Sequence, residues 1–271
     1  MDQRPIGIFD SGLGGLTAAK ALEEILPGEN LIYFGDSANA PYGTRSREEL
    51  SRLACANAEF LRGFDCKAVL VACGTVSSNA MDVLREAYDL PFFGVIDAAC
   101  RKAAERTGTK RVAVIATEAT VKSGAFEKKL RQLDGTLEVF SKACQSLVSV
   151  AEDGHFAPGD EAGIAAVAAE LAPVRDWGPD VLILACTHFP LLQEIIADYM
   201  GSGTALLSVG AETAQELKER LAADGMLAGR ALGERRWFTS GDPVRFAAQA
   251  EVFLGHPICA GQHIGKGGQE R

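Results

Sequence analysis

Two stretches decide the reading: Ala68-Val69-Leu70-Val71-Ala72-Cys73-Gly74-Thr75 and Val181-Leu182-Ile183-Leu184-Ala185-Cys186-Thr187-His188. Each is an apolar run ending in Ala-Cys, then small and hydroxyl residues, then a helical pattern. A strand without polar alternation is covered on both faces, which is the habit of parallel sheets. The two stretches lie about one domain length apart, too far for a short solenoid repeat. They imply two similar α/β units, each presenting one cysteine at the carboxyl end of a strand, where open α/β sheets bind ligands.

The same rhythm runs outward from them. Strand-like runs are expected over Ile6–Asp10, Leu31–Gly35, Phe92–Ile96, Arg111–Thr117, Leu137–Ala143, Ala205–Val209 and Arg236–Ser240. Helical spacing marks Leu16–Ile25, Glu48–Phe60 and Glu161–Leu171. Strands alternating with helices predict parallel sheets with right-handed crossovers. The chain has 271 residues, 47% hydrophobic and 23% charged, an ordinary globular composition that suits two compact units. No apolar run approaches the ~20 residues that span a bilayer. The opening Met1–Pro5 is read as no export signal, and the tail from Gly265 to Arg271 as frayed. A net charge of −9 argues against nucleic acid or an anionic membrane as partner.

Seven cysteines, with no C-x-x-C pair, point to a reducing, cytoplasmic setting. Cys55, Cys66, Cys100, Cys144 and Cys259 read as small packed hydrophobes. Cys73 and Cys186 sit at the switch from strand to loop. There the N–H groups of a following helix are expected to favour the thiolate and bring the pKa below ~8.5. A metal would want further soft ligands, and only His188 lies near in sequence. Two acid/base groups on opposite faces of one carbon suit inversion of a stereocentre without a cofactor, one taking a proton as the other delivers one. The turns Asp10-Ser11-Gly12-Leu13-Gly14-Gly15 and Pro41-Tyr42-Gly43-Thr44 offer N–H groups for carboxylates. Neither G-x-G-x-x-G nor G-x-x-x-x-G-K-[ST] is present. Asp10 alone reads equally well as a helix cap, and Tyr42 as a packing residue.

Matching motifs run in order along nearly the whole chain: Ile6–Thr17, Tyr33-Phe34-Gly35-Asp36 with Pro41-Tyr42-Gly43, Ala72-Cys73-Gly74-Thr75, Ala119–Gly124, and Cys186-Thr187-His188-Phe189-Pro190-Leu191-Leu192. By these the chain resembles the cofactor-independent aspartate/glutamate racemases, glutamate racemase in particular. The resemblance implies two α/β domains of like topology, 1–97 with 210–271 and 98–209, with the active site in the cleft between them. It implies a racemase that interconverts L- and D-glutamate and supplies D-glutamate for peptidoglycan, with no cofactor, no metal and possible homodimerisation. Cys73 and Cys186 are implied as the catalytic acid/bases. Asp10, Ser11, Tyr42, Gly43, Gly74, Thr75, Thr187 and His188 are implied to bind substrate, with Asp10, Glu152 and His188 also helping to move protons. The alternatives are a racemase of aspartate or another small acid, and an idle amino-acid-binding or interaction protein of the same fold. The chain departs from the family at Gly74, where an Asn is usual, and at Gln145–Ser149, which lacks the family's prolines.

Overall fold

The computed structural model describes residues 1–262. Two all-parallel sheets carry the fold. The first contains β1 (Ile6–Asp10), β2 (Leu31–Gly35), β3 (Ala68–Val71), β4 (Phe92–Gly94), β9 (Arg235–Thr239) and β10 (Ala260–Gln262), in the order β10-β9-β2-β1-β3-β4. The second contains β5 (Arg111–Ala116), β6 (Glu138–Ala143), β7 (Val181–Leu184) and β8 (Ala205–Ser208), in the order β6-β5-β7-β8. Both therefore share one pattern, second-first-third-fourth. Ile8 pairs with Tyr33 and Leu70, as Val114 pairs with Ser141 and Ile183. The strands that lead to Cys73 and Cys186 occupy equivalent places, each beside the first strand of its sheet. The direction of strand addition reverses there, and the resulting crevice lies at the carboxyl ends.

The helices are α1 (Leu16–Ile25), α2 (Arg47–Arg62), α3 (Gly74–Asn79), α4 (Met81–Ala87), α5 (Val95–Arg106), α6 (Glu118–Ser123), α7 (Ala125–Leu133), α8 (Ser146–Glu152), α9 (Glu161–Trp177), α10 (Gln193–Met200), α11 (Val209–Ala223) and α12 (Pro243–Leu254). On the first sheet, α1, α11 and α12 bury Leu16, Leu22, Leu217, Phe246 and Phe253 against one face. Residues of α2 to α4, including Leu50, Leu53, Val76 and Leu84, cover the other. On the second sheet, α5 and α7 cover one face through Ile96, Phe126 and Leu130, and α8 to α10 cover the other through Leu147, Leu171 and Ile196. Sheets covered on both faces explain the unbroken apolar runs seen in the sequence.

The sequence reading overran several strands. β3 and β7 leave their ladders two residues before the cysteines, although Ala72 N–H still donates to Phe9 O and Ala185 N–H to Ile115 O. β4 and β8 stop where α5 and α11 begin, at Val95 and Val209, because the apolar run continues into a buried first helical turn. α9 passes through Pro173 and ends at Gly178, which takes the left-handed conformation that glycine adopts at no steric cost. β10 carried no signal, being three residues long with a glycine at its centre. The tail from Gly265 to Arg271 lies outside the described residues. No helix among the described residues is long and apolar enough to cross a membrane.

After β8 the chain returns to the first sheet, and a buried ion pair secures the return. Lys67 Nζ lies 2.5 Å from Glu29 Oε2, with side chains 0% and 3% exposed. Lys67 also donates to the carbonyls of Asp2 and Met226, and Glu29 Oε1 accepts from Ala228 N–H.

Candidate active site

Six segments at the strand ends meet around one cavity of about 80 Å³. β1 supplies Ser11 to Leu13, β3 supplies Cys73 to Thr75, β5 supplies Thr117, and β7 supplies Ala185 to His188. The turn after β2 adds Ala40 to Gly43, and the segment after β6 adds Gln145, Val148 and Glu152. Cys73 and Cys186 thus face the same space from equivalent strands of opposite sheets. The volume is well below the ~300 Å³ at which drug-sized sites begin, so the pocket suits a compact ligand.

Cys73 caps α3. The N–H groups of Thr75 and Val76 and the Ser11 hydroxyl are directed at its sulfur. These donors were expected to bring the thiol below its usual range. Instead burial, reinforced by the negative charge of Asp10, pushes Cys73 up to about 12. Desolvation of a fully enclosed thiolate outweighs the partial charges of a six-residue helix. Asp10 is wholly buried and lies behind the pocket wall. Its Oδ2 accepts from Gly12 N–H at 3.2 Å and Gly15 N–H at 2.9 Å, holding the turn that opens α1, as a cap does. Its Oδ1 has no partner among the described residues. Burial raises the carboxyl from its ordinary range, against the pull of His188 and these N–H groups.

The second sheet presents a different surrounding. Cys186 is followed by a 3₁₀ turn, Phe189–Leu192, rather than directly by an α-helix. Cys186 Sγ lies 3.8 Å from His188 Nδ1, and His188 Nε2 lies 3.0 Å from Glu152 Oε1, at ion-pair distance rather than as an aligned hydrogen bond. Burial opposes charge on His188, yet Cys186 and Glu152 together push it up to about 10. The same contact lowers Glu152, which is half-exposed. Phe253 of α12 packs edge-on against the imidazole, so the returning segment orients it. The two sulfurs therefore have unequal surroundings: Cys73 is enclosed beside Asp10, and Cys186 has the His188 imidazole 3.8 Å away.

The remaining residues singled out in the sequence fall as follows. Tyr42 lines the cavity, but its hydroxyl donates to Asp36 and accepts from Asn57, and burial raises it far beyond the usual phenol range. Its contribution to the pocket is ring and backbone. The N–H groups of Tyr42 and Gly43 have no hydrogen-bond partner among the described residues. Thr75 Oγ1 meets Thr117 Oγ1 at 3.2 Å, and Thr17 Oγ1 donates to Thr187 O at 3.2 Å, two bonds between the units. Thr117 and Gln145 were missed, although both follow strands and the strand-end rule would have found them.

The units close tightly. A Cβ at Gly14 would stand 2.2 Å from Thr187 Oγ1 and 2.9 Å from His188 Nδ1. Gly14→Ala is expected to leave the protein folded but to shift His188 and Thr187, lowering kcat/KM about 10²-fold. Unchanged kinetics beside an unchanged melting curve would contradict this.

Known proteins share this two-sheet fold. Residues 15–217 match the Asp/Glu/hydantoin racemase family. A glutamate racemase of Corynebacterium diphtheriae is 43% identical over 256 residues, covering 94% of this chain and 96% of that one. Among solved structures, glutamate racemase isoform RacE1 of Bacillus anthracis superposes with a TM-score of 0.92 at 38% identity, covering 96% of this chain and 97% of that one. The glutamate racemase of Francisella tularensis, solved in complex with D-glutamate, follows with a TM-score of 0.88 at 34% identity, covering 97% and 98%. With paired sheets of one topology, a cysteine at the same strand end of each, and likeness along nearly its whole length, the chain belongs to the Asp/Glu/hydantoin racemase family.

Proposed function

We propose that this protein interconverts L- and D-glutamate by a two-base reaction at Cys73 and Cys186. The observation that carries the reading is the pair of cysteines lining one cavity from equivalent strands. The long, close likeness to glutamate racemases supports glutamate as the substrate, and the Francisella relative was solved with D-glutamate bound.

In one direction the Cys186 thiolate removes the α-proton. The C–H electron pair stays on Cα, and the Cys73 thiol delivers its proton to the opposite face. Cys186 ends as thiol and Cys73 as thiolate, and the reverse direction exchanges their roles. His188, held by Glu152, favours the thiolate of Cys186, and Asp10 exchanges a proton with Cys73. Such positioned acid/base groups contribute about 10²–10⁴-fold each, and the hydrogen-bond donors around the pocket stabilise the developing negative charge. Neutral donors on Ser11, Gly43, Thr75 and Thr187 bind the two carboxylates without a cluster of arginines, which reconciles a dianionic substrate with a net charge of −9. Two thiols that must stay reduced suit a cytoplasmic setting.

The test is incubation with L-glutamate, and separately L-aspartate, in deuterated water, following optical rotation and α-deuterium uptake. Exchange with glutamate alone is expected. Exchange with aspartate alone would overturn the substrate, and exchange with neither would overturn the activity.

The pH dependence follows from His188. Its folded-state pKa is raised from the ordinary 6.5 to about 10, so its contribution is complete below 6.5 and is lost as pH rises through about 10. The rate in the direction that uses Cys186 as base is expected to fall on that upper limb. Glu152→Gln removes one of the two groups holding the imidazolium, and is expected to move the limb to lower pH by about one unit. A limb that stays in place would separate Glu152 from the proton relay.

A further inference from the structure

We propose that Gln145 contacts the substrate and helps to determine specificity, its carboxamide oxygen accepting a hydrogen bond from the α-ammonium group of the bound amino acid. The inference rests on the racemase reading and adds a recognition element to it.

Gln145 follows β6 and Cys144. The chain there is pinned by Cys144 N–H donating to Ala116 O and Val148 N–H donating to Gln145 O. Its side chain lines the cavity, and Oε1 is buried without a partner among the described residues. A buried carbonyl acceptor is costly to leave unmade and marks a place where a donor belongs. The Thr187 hydroxyl and the free N–H groups of the 42–43 turn supply donors, which suit carboxylates. An amide oxygen only accepts. Of the groups on an acidic amino acid, only the ammonium answers it.

Two glycines show how the carboxamide is placed. A Cβ at Gly43 would lie 3.4 Å from both Gln145 Oε1 and Thr117 Cβ, so the turn of the first unit packs on Gln145 and limits where its head group points. A Cβ at Gly74 would lie 2.7 Å from the backbone oxygen of Ala185. The strand ends approach too closely there for any side chain. A polar side chain therefore cannot enter from position 74, and the carboxamide enters from the opposite unit at position 145.

The test compares affinities for glutamate and for glutarate, the same dicarboxylate without the ammonium group, by calorimetry on the wild type and on Gln145→Met. Methionine keeps the length and removes the acceptor. Gln145→Met is expected to weaken glutamate about 10-fold, as loss of a hydrogen bond to a charged group does, while glutarate binding changes less than about 2-fold by the same reasoning. Unchanged glutarate binding also reports an intact pocket. Equal weakening of both ligands, or of neither, would overturn the assignment. Affinity is read with racemic glutamate, on which turnover makes no net change, so a wild type that binds glutamate with this preference but exchanges no α-deuterium would refute the racemase reading and leave the role of Gln145 standing.

Discussion

Cys73→Ser and Cys186→Ser are each expected to reduce racemisation at least 10²–10⁴-fold, the range lost with a positioned acid/base group. Serine keeps the shape of the side chain, but its hydroxyl is far too weak an acid to serve as proton donor or, as alkoxide, to form at neutral pH. The sharper outcome concerns direction. Each variant keeps one functional sulfur, so each is expected to abstract the α-proton from one enantiomer only, and the two variants from opposite enantiomers. A substrate with a leaving group on Cβ reads this, because elimination needs one base and no reprotonation. Appreciable racemisation by either variant would remove that cysteine from the mechanism, and loss of the same enantiomer in both would sink the two-sided arrangement. The unequal surroundings sharpen the expectation. Cys73 is pushed up to about 12 by burial and Asp10, whereas Cys186 has an imidazolium 3.8 Å away.

Lys67→Met is expected to destabilise the fold by about 3–5 kcal/mol, the cost of leaving one member of a buried ion pair unpaired. For a chain of this size that corresponds to a fall in Tm of about 10 °C. Glu29 would keep the N–H of Ala228 but lose its cation at 2.5 Å, and the carbonyls of Asp2 and Met226 would lose their donor. Glu29→Gln in the same chain removes the stranded charge and is expected to recover part of the loss. A melting temperature within about 2 °C of wild type, less than 1 kcal/mol on the same scale, would show that water enters and satisfies the site. The pair joins the returning segment, at the loop after α11, to the base of the first sheet. That segment carries Phe253, which orients His188, so the catalytic rate is expected to fall before the protein unfolds.

The alternation of apolar runs with helical spacing made the two-unit α/β class legible, and the repeated Ala-Cys strand ends marked the two sulfurs. Those signals are local. A strand covered on both faces must be apolar throughout, and a loop at a strand end must bend through small residues, whatever packs against it. The boundaries at Val95 and Val209 were blurred because burial continues from strand into helix there, and hydrophobicity alone does not record the change in backbone. β10 was invisible because three residues hold too little pattern.

Spacing along the chain pointed to Cys73 and Cys186 but said nothing reliable about their ionisation. A helix N-terminus suggested a lowered thiol pKa, and at Cys73 the enclosure of the sulfur and the charge of Asp10 reversed the sign. Tyr42 was recognisable as part of the turn, yet only the packed structure shows its hydroxyl committed to Asp36 and Asn57. Thr117 and Gln145 reach the cavity because two sheets distant in sequence close upon each other. Composition and periodicity thus determined the kind of fold and where its chemistry could lie. Desolvation, the meeting of the two units and the direction of each polar group depend on atoms far apart in sequence, and three-dimensional packing settled them.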